Sequence, residues 1–204
     1  MNNRFIVLAG FVLLVALAIN WVIDLGQTPP VVPSDSQNDP DLYMVNARIT
    51  QFSPEGFRQH QINAARMTHF PLTDVTTMHV PNVFLFSRDT DTPWEIIALN
   101  GRLLPQSQLR QEVVELWDQV VAVRDRPNGD FVNIQTDNMK IYPHRDYAET
   151  NALVIIDNTS GRTTAGGGMK AWFDEGRFEF SRSRTDRVLT IVAPGASRRA
   201  SQGD

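Results

Sequence analysis

Between residues 160 and 180 the chain reads SGRTTAGGGMKAWFDEGRFEF, and its glycines are the first residues whose spacing suggests chemistry. A glycine, four residues, a second glycine and a nearby lysine are the ingredients of a phosphate cradle. Such a loop needs Gly-x-x-x-x-Gly-Lys-Ser/Thr between a strand and a helix, so that backbone N–H groups and the lysine converge on the phosphates. Gly161 and Gly166 have the separation, but Gly167 stands at the lysine position. Lys170 is followed by Ala171, not by a hydroxyl that could hold Mg²⁺. No helical apolar period opens afterwards. The glycines read as a bend or bulge where backbones approach closely, not as a nucleotide site.

Other candidate chemistry is sparse. The histidines, His60, His69, His79 and His144, have no metal-ligand spacing and each falls on or beside an expected strand or turn. The acidic pairs Asp89/Asp91 and Asp174/Glu175 fall in turns, where carboxylates serve as turn formers more often than as acid–base pairs. Arg182, Arg184 and Arg187 could meet lipid phosphates, but without an aromatic platform they read as the solvated edge of a strand. There is no Gly-x-Ser-x-Gly elbow, no His-Glu-x-x-His and no dinucleotide fingerprint. The absence of cysteine excludes thiolate catalysis, disulfides and thiolate metal sites. A net charge of −4 gives no field that points to nucleic acid. The expectation is a protein that is not an enzyme and needs no cofactor or metal.

The elements that must carry whatever function exists are clearer. Residues 5–23, FIVLAGFVLLVALAINWVI, carry no charge. As a helix they would span roughly 28 Å, close to the hydrocarbon thickness of a bilayer. Arg4 precedes the run and Asp24 follows it, which with the free amino terminus favours a cytoplasmic N-terminus; Trp21 sits where an interfacial aromatic belongs. The competing reading is a cleaved signal peptide, but its best motif, Ala16-Leu17-Ala18, lies inside the apolar run. Residues 1–25 are therefore expected to be a single-pass inner-membrane anchor, with the bulk of the chain exported. Residues 26–40, GQTPPVVPSDSQNDP, read as an extended proline-rich linker. Residues 194–204 read as a disordered tail.

Between them, residues 41–193 are expected to form one all-β domain. Candidate strands are 47–52, 58–67, 80–86, 94–101, 111–123, 130–136, 138–141, 153–156, 168–173, 177–180 and 188–193. Turn residues punctuate them at Pro54-Glu55-Gly56, Asn100-Gly101, Pro127-Asn128-Gly129, Asn158 to Gly161 and Glu175-Gly176. Short strands with such turns indicate an antiparallel sandwich or jelly roll. In VVELWDQVVAVRD, Val114 and Leu116 share one face, and Val121 and Val123 share one, but the two sets are out of phase. An extra residue near Asp118-Gln119, a β-bulge, would bring both inward and curve the sheet. Large apolar residues such as Phe84, Trp94, Trp117 and Phe173 are spread over many strands. They suit either the core of a closed sandwich or the lining of an apolar groove.

The uncharged N-terminal segment, followed by DLYMVNARITQFSPEGFRQHQINAARMTHFPLTDVTTMHVPNVFLF, TPWEIIALNGRLL, VVELWDQVVAVRD, FVNIQTDNMKIYP and TTAGGGMKAWFDEGRFEF, resembles the LptC family in order and spacing. That family pattern has Leu-x-Gly-x-Val where this chain has Leu116-Trp117-Asp118-Gln119-Val120. The resemblance implies a twisted, open β-jelly roll of the OstA/LptA type with an apolar interior, anchored in the inner membrane and projecting into the periplasm. It implies that lipopolysaccharide arrives from an LptBFG-type ABC transporter on the N-terminal side and passes, sheet edge to sheet edge, to a soluble LptA-type protein. Alternation along the strands then selects Ile49, Ile62, Phe84, Ile96, Leu116, Val123, Ile134, Ile141 and Ile156 as the groove lining. Gly166, Gly167, Gly168, Phe178 and Phe180 would form the C-terminal docking edge, where a bulky residue at Gly167 would block the partner and spare the fold. The alternative is a membrane-tethered β-sandwich that binds proteins, not lipid. A third reading is an envelope enzyme, which perturbed carboxylates in a cleft would favour.

Overall fold

The computed structural model describes residues 38–87, 92–182 and 187–192. The anchor, most of the linker and the tail fall outside them, as do Asp89, Asp91 and Arg184. Among the described residues no helix is long and apolar enough to cross a membrane. The strands are β1 (Leu42–Phe52), β2 (Arg58–Phe70), β3 (Val75–Leu85), β4 (Trp94–Ile97), β5 (Asn100–Leu104), β6 (Val113–Asp125), β7 (Phe131–Tyr142), β8 (Tyr147–Thr150), β9 (Val154–Asn158), β10 (Gly161–Ala165), β11 (Met169–Trp172), β12 (Arg177–Phe180) and β13 (Leu189–Val192). All pairings between them are antiparallel. The all-β expectation holds. Some details differ: β8 and β10 are additional strands, the expected strands 130–136 and 138–141 are one strand, β7, and the expected strand 94–101 is divided between β4 and β5 so that Asn100-Gly101 opens β5 instead of turning. Gly101 is buried there, with the Leu116 side chain only 2.8 Å from where a Cβ would stand.

Pairing register divides the sheet along a line that crosses every long strand near its middle. On one side lie the early parts of β1 and β3, the late part of β2, then β5, early β6, late β7, β8, β11 and β12. On the other lie the remaining parts of β1, β2 and β3, then β4, late β6, early β7, β9, β10 and β13. These two sheets enclose one apolar cluster, in which Ile62, Met67, Val83, Ile96, Val114, Leu116, Ile134, Met139, Ile141 and Met169 are buried. Five strands run continuously from one sheet into the other, so the line is a crease.

The crease is visible in the side-chain phase. On β2 the inward residues are Ile62 and Ala64, then Met67; on β3 they are Thr76 and Met78, then Pro81, Val83 and Leu85. Odd and even positions exchange roles at each crossing, because a strand that rotates through a corner must skip a residue to keep apolar side chains inside. Asn46, Val80, Asp118 and Gln119 take positive φ of 51°, 50°, 65° and 58° along this line. Pro81 sits beside it, one of the few places where a strand tolerates the missing N–H. The backbone is nonetheless well satisfied: Val80 N–H donates to the Leu99 carbonyl at 2.8 Å, and Leu99 N–H to that of Asp118 at 2.9 Å.

On β6 the expected bulge is present, with Asp118 and Gln119 together opposite Asp137 of β7. Its consequence differs from the expectation. The buried residues are Val114, Leu116, Val120, Ala122 and Arg124, even-numbered throughout, because the extra residue cancels the phase change that the crease imposes on other strands. Val121 and Val123 therefore face outward, opposite Gln135 and Asn133 of β7.

Candidate functional site

The margin opposite the crease is where the two sheets meet without shared strands. We call it the mouth. The second sheet brings His60 from β2, Trp94 from β4 and Arg124 from β6. The first sheet brings Glu112 ahead of β6, the 3-10 turn Pro143–Arg145, Phe173 after β11 and Phe178 on β12. Trp94 packs against Phe173 with ring centroids 4.7 Å apart and against Phe178 at 6.2 Å, a contact worth about 1 kcal/mol beyond its buried area. His60 Nε2 lies 3.1 Å from Glu112 Oε1, and His144 Nε2 lies 3.9 Å from Glu112 Oε2.

Side-chain polar groups are poorly satisfied at this margin. The His60 Nε2–Glu112 approach is close but misaligned, leaving Glu112 Oε1 without a hydrogen-bond partner, and the other ring nitrogen, His60 Nδ1, has none either. Ser53 Oγ, Trp94 Nε1 and the Nε and Nη2 of Arg124 are also buried and unpartnered. An unpartnered buried polar group costs about 1–3 kcal/mol, so the closed mouth is held by aromatic packing against a polar penalty. Asp146, which faces Asp174 across a cavity also lined by Ser53, Phe57 and Arg58, is pushed up to about 6, by burial first and by the Asp174 charge second. Asp146 N–H donates to the Pro143 carbonyl at 3.3 Å, and the Asp146 carbonyl accepts from Phe173 N–H at 2.7 Å, which ties this carboxylate's position to the mouth aromatics. Among the described residues no group of His, Asp and Glu is arranged to hold a metal ion.

The structure sorts the expected groove residues by face. Ile62, Ile96, Leu116, Ile134, Ile141 and Ile156 point into the interior and are buried, and Ile49 is half-buried against the same cluster. Phe84 and Val123 do not join them. Phe84 lies between inward Val83 and Leu85, and Val123 between inward Ala122 and Arg124, so both face the outside of the second sheet. Strict alternation misplaced them because each strand changes phase at the crease or carries the bulge. Among the described residues the interior is a packed core.

The expected docking edge also needs correction. β12 is an edge strand, but Phe178 and Phe180 turn their side chains toward the core. Gly166, Gly167 and Gly168 are interior to the edge: Gly167 N–H donates to the Ser181 carbonyl and Ser181 N–H to that of Gly168, both at 3.0 Å. A Cβ on Gly167 would stand 2.4 Å from the Arg182 backbone carbon, and one on Gly168, whose φ is +95°, would stand 2.1 Å from the Thr150 carbonyl oxygen. A bulky residue at Gly167 would displace backbone, so it would not spare the fold. The open backbone edges among the described strands belong to β1 at one end of the order and to β12 and β13 at the other. Sequence reasoning missed His60, Glu112, Trp94 and Arg124 as one margin, since they are scattered over 65 positions of chain and only the tertiary fold joins them.

The fold is similar to the crystal structure of LptH from Pseudomonas aeruginosa, described as the LptA homologous periplasmic component of the conserved lipopolysaccharide transport device, with a TM-score of 0.53. That similarity covers 66% of this chain and 95% of the other at 10% sequence identity, which makes it evidence of fold alone. No curated protein matches the chain. The family model described as lipopolysaccharide-assembly, LptC-related, matches residues 9–186. With this match spanning most of its length, and with the all-β fold behind it, the chain belongs to the LptC-related family of lipopolysaccharide-assembly proteins.

Proposed function

We propose that this domain is a non-enzymatic carrier that takes the acyl chains of lipopolysaccharide between its two sheets by opening at the mouth. Family membership supports a role in lipopolysaccharide transport. The observation that carries the mechanism is the one-sided closure of the interior. Five continuous strands join the sheets along the crease, whereas side-chain contacts and unpartnered polar groups close the other side. Each acyl methylene removed from water is worth about 0.8 kcal/mol, so a long chain entering an apolar interior can replace the contacts that opening breaks.

The remaining parts of the reading follow from edges and ends. Residues 5–23 anchor the chain in the inner membrane and residues 26–40 hold the domain in the periplasm. The β1 edge receives lipid from an inner-membrane ABC transporter of the LptBFG type. The β12 and β13 edges offer main-chain N–H and carbonyl groups to a soluble LptA-type partner, in the manner of strand addition.

A photoreactive diazirine side chain tests the conduit. Placed at Ile141, which is buried inward, it should yield lipopolysaccharide adducts in cells that are transporting lipid. Placed at Phe84, which faces outward, it should yield few. Equal adducts at both positions, or none at Ile141, would count against passage between the sheets.

A further inference from the structure

Arg124 is the least expected residue in the interior. It is 3% exposed, yet its Nε and Nη2 have no hydrogen-bond acceptor. A buried guanidinium is ordinarily found paired, because an uncompensated buried charge is among the most expensive features a fold can carry. Among the described residues no carboxylate lies within ion-pair distance of Arg124 or of Arg126, two residues along. Burial, with the like charge of Arg126 adding to it, holds the Arg124 guanidinium below its ordinary range. No carboxylate among the described residues pairs with this guanidinium.

Space for an anion is present. Arg124 lines a cavity of about 240 Å³ at the mouth, together with Trp94, Arg126, Phe131 and Val132 of the second sheet and Phe178 of the first. Trp94 Nε1 is a further buried donor without an acceptor, and the Arg124 guanidinium carbon lies 5.8 Å from the Trp94 ring centre. Asp130 also borders the cavity, but its carboxylate accepts from Asn128 Nδ2 at 2.7 Å within its own turn. The Nε–Nη2 edge of a guanidinium matches two oxygens of one oxyanion. A planar carboxylate would satisfy that edge alone. A tetrahedral phosphate has further oxygens for Trp94 Nε1 and for Arg126, and the aromatic and aliphatic lining suits the apolar body to which such a phosphate is attached.

We propose that Arg124, with Trp94 Nε1 and Arg126, binds the phosphate group of a phosphorylated amphiphile at the mouth and so places its acyl chains at the entrance to the interior. This rests on the carrier reading above, and the test separates the two. Full-length protein in detergent micelles would be titrated with diphosphoryl lipid A, with the same lipid after phosphatase treatment, and with inorganic phosphate. The phosphorylated lipid should bind about tenfold tighter than the dephosphorylated one, the scale of one charge-assisted contact. Arg124→Gln should erase that difference and leave the dephosphorylated lipid's affinity unchanged; Arg124→Lys should retain part of it, and Arg126→Gln should reduce it about threefold. Circular dichroism of each variant checks the fold, which the loss of an unpaired buried charge should not harm.

Equal affinity for the two lipids in the wild type would overturn the phosphate site and leave the carrier reading standing. Binding of neither lipid, with Arg124-dependent binding of inorganic phosphate, would do the reverse and identify a site for the free anion. A phosphate preference that survives Arg124→Gln would overturn the assignment to this cavity.

Discussion

The crease and the mouth bound the same apolar interior and are built in opposite ways. At the crease the chain itself is the joint, and backbone donors such as Val80 and Leu99 find partners across strands. The mouth has no shared strand. Its closure depends on Trp94 against Phe173 and Phe178, beside a misaligned His60–Glu112 pair and the unpartnered Arg124. Most of the unpartnered buried side-chain atoms among the described residues lie at the mouth, although Asn82 Oδ1, beside the crease, and Asn133 Oδ1 are two others. In the proposed function the crease is the hinge and the mouth the seam. Under the carrier function proposed above, this asymmetry would let lipid enter sideways while its sugar stays in water.

The largest effect should come from removing the seam's main contact. Trp94 is 3% exposed, and Trp94→Ala should destabilise the domain by about 3–5 kcal/mol through the lost burial and the cavity left behind. The comparison predicts more than a lower midpoint. In native-state hydrogen exchange, the Phe173 amide, which donates to the Asp146 carbonyl at the mouth, should lose protection first. The Val80 and Leu99 amides at the crease should keep theirs until global unfolding. Loss of protection at both margins together would remove the distinction between hinge and seam.

Much of this architecture was legible in the chain. Alternating apolar residues and turn dipeptides gave most of the strands, though not β8 or β10, and the out-of-phase valines of β6 located the bulge at Asp118-Gln119. What could not be read was which side of the bulge was displaced. Alternation is a local signal, and it counts residues without knowing that β1, β2, β3, β6 and β7 all turn the same corner. That is why Phe84 and Val123 were assigned to the wrong face, while Ile62, Ile96 and Ile134, on segments between corners, were placed inward. The mouth was invisible for a different reason. His60 and His144 look like isolated strand and turn histidines in sequence, and only the folded chain brings both to Glu112. Arg124 gave one signal, a charge in phase with Val120 and Ala122, but the assumed phase set those residues outward.

A smaller effect should separate the margins by pH. The Asp146 carboxyl, beside the mouth, rises from 3.8 to about 6 on folding, chiefly through burial. Between those values the folded protein binds more protons than the unfolded chain, so stability declines as pH climbs from 4 to 6 and the full penalty is present above 6. Asp146→Asn removes the titration and suits the backbone, because asparagine tolerates the positive φ of 46° found there. The variant should be more stable than the wild type by about 1–2 kcal/mol at pH 8, a value reduced for partial exposure, and nearly equal to it at pH 3.5. Urea midpoints of both proteins at the two pH values decide it; a gain of the same size at both would assign the effect to the backbone and not to the carboxyl.

The smallest effect concerns the hinge. Val80 holds a φ of 50° at the crease, a conformation that a β-branched side chain adopts only under strain, and it is 43% exposed, so little packing compensates. The surrounding ladder over-determines it: Val80 N–H is bound to the Leu99 carbonyl at 2.8 Å, and Pro81 follows with no N–H to offer an alternative register. Asparagine accepts this backbone at lower cost. Val80→Asn should therefore raise stability by about 0.5–1 kcal/mol, measured as a shift in denaturation midpoint with unchanged slope. The same variant should leave exchange at the Phe173 amide unaltered, since relief of strain at the hinge adds nothing to the seam. A destabilised Val80→Asn would show that the valine side chain packs on the outer face and contributes more than its backbone costs. Faster exchange at Phe173 would show that the crease transmits its geometry to the mouth, and the two margins would then have to be treated as one mechanical unit.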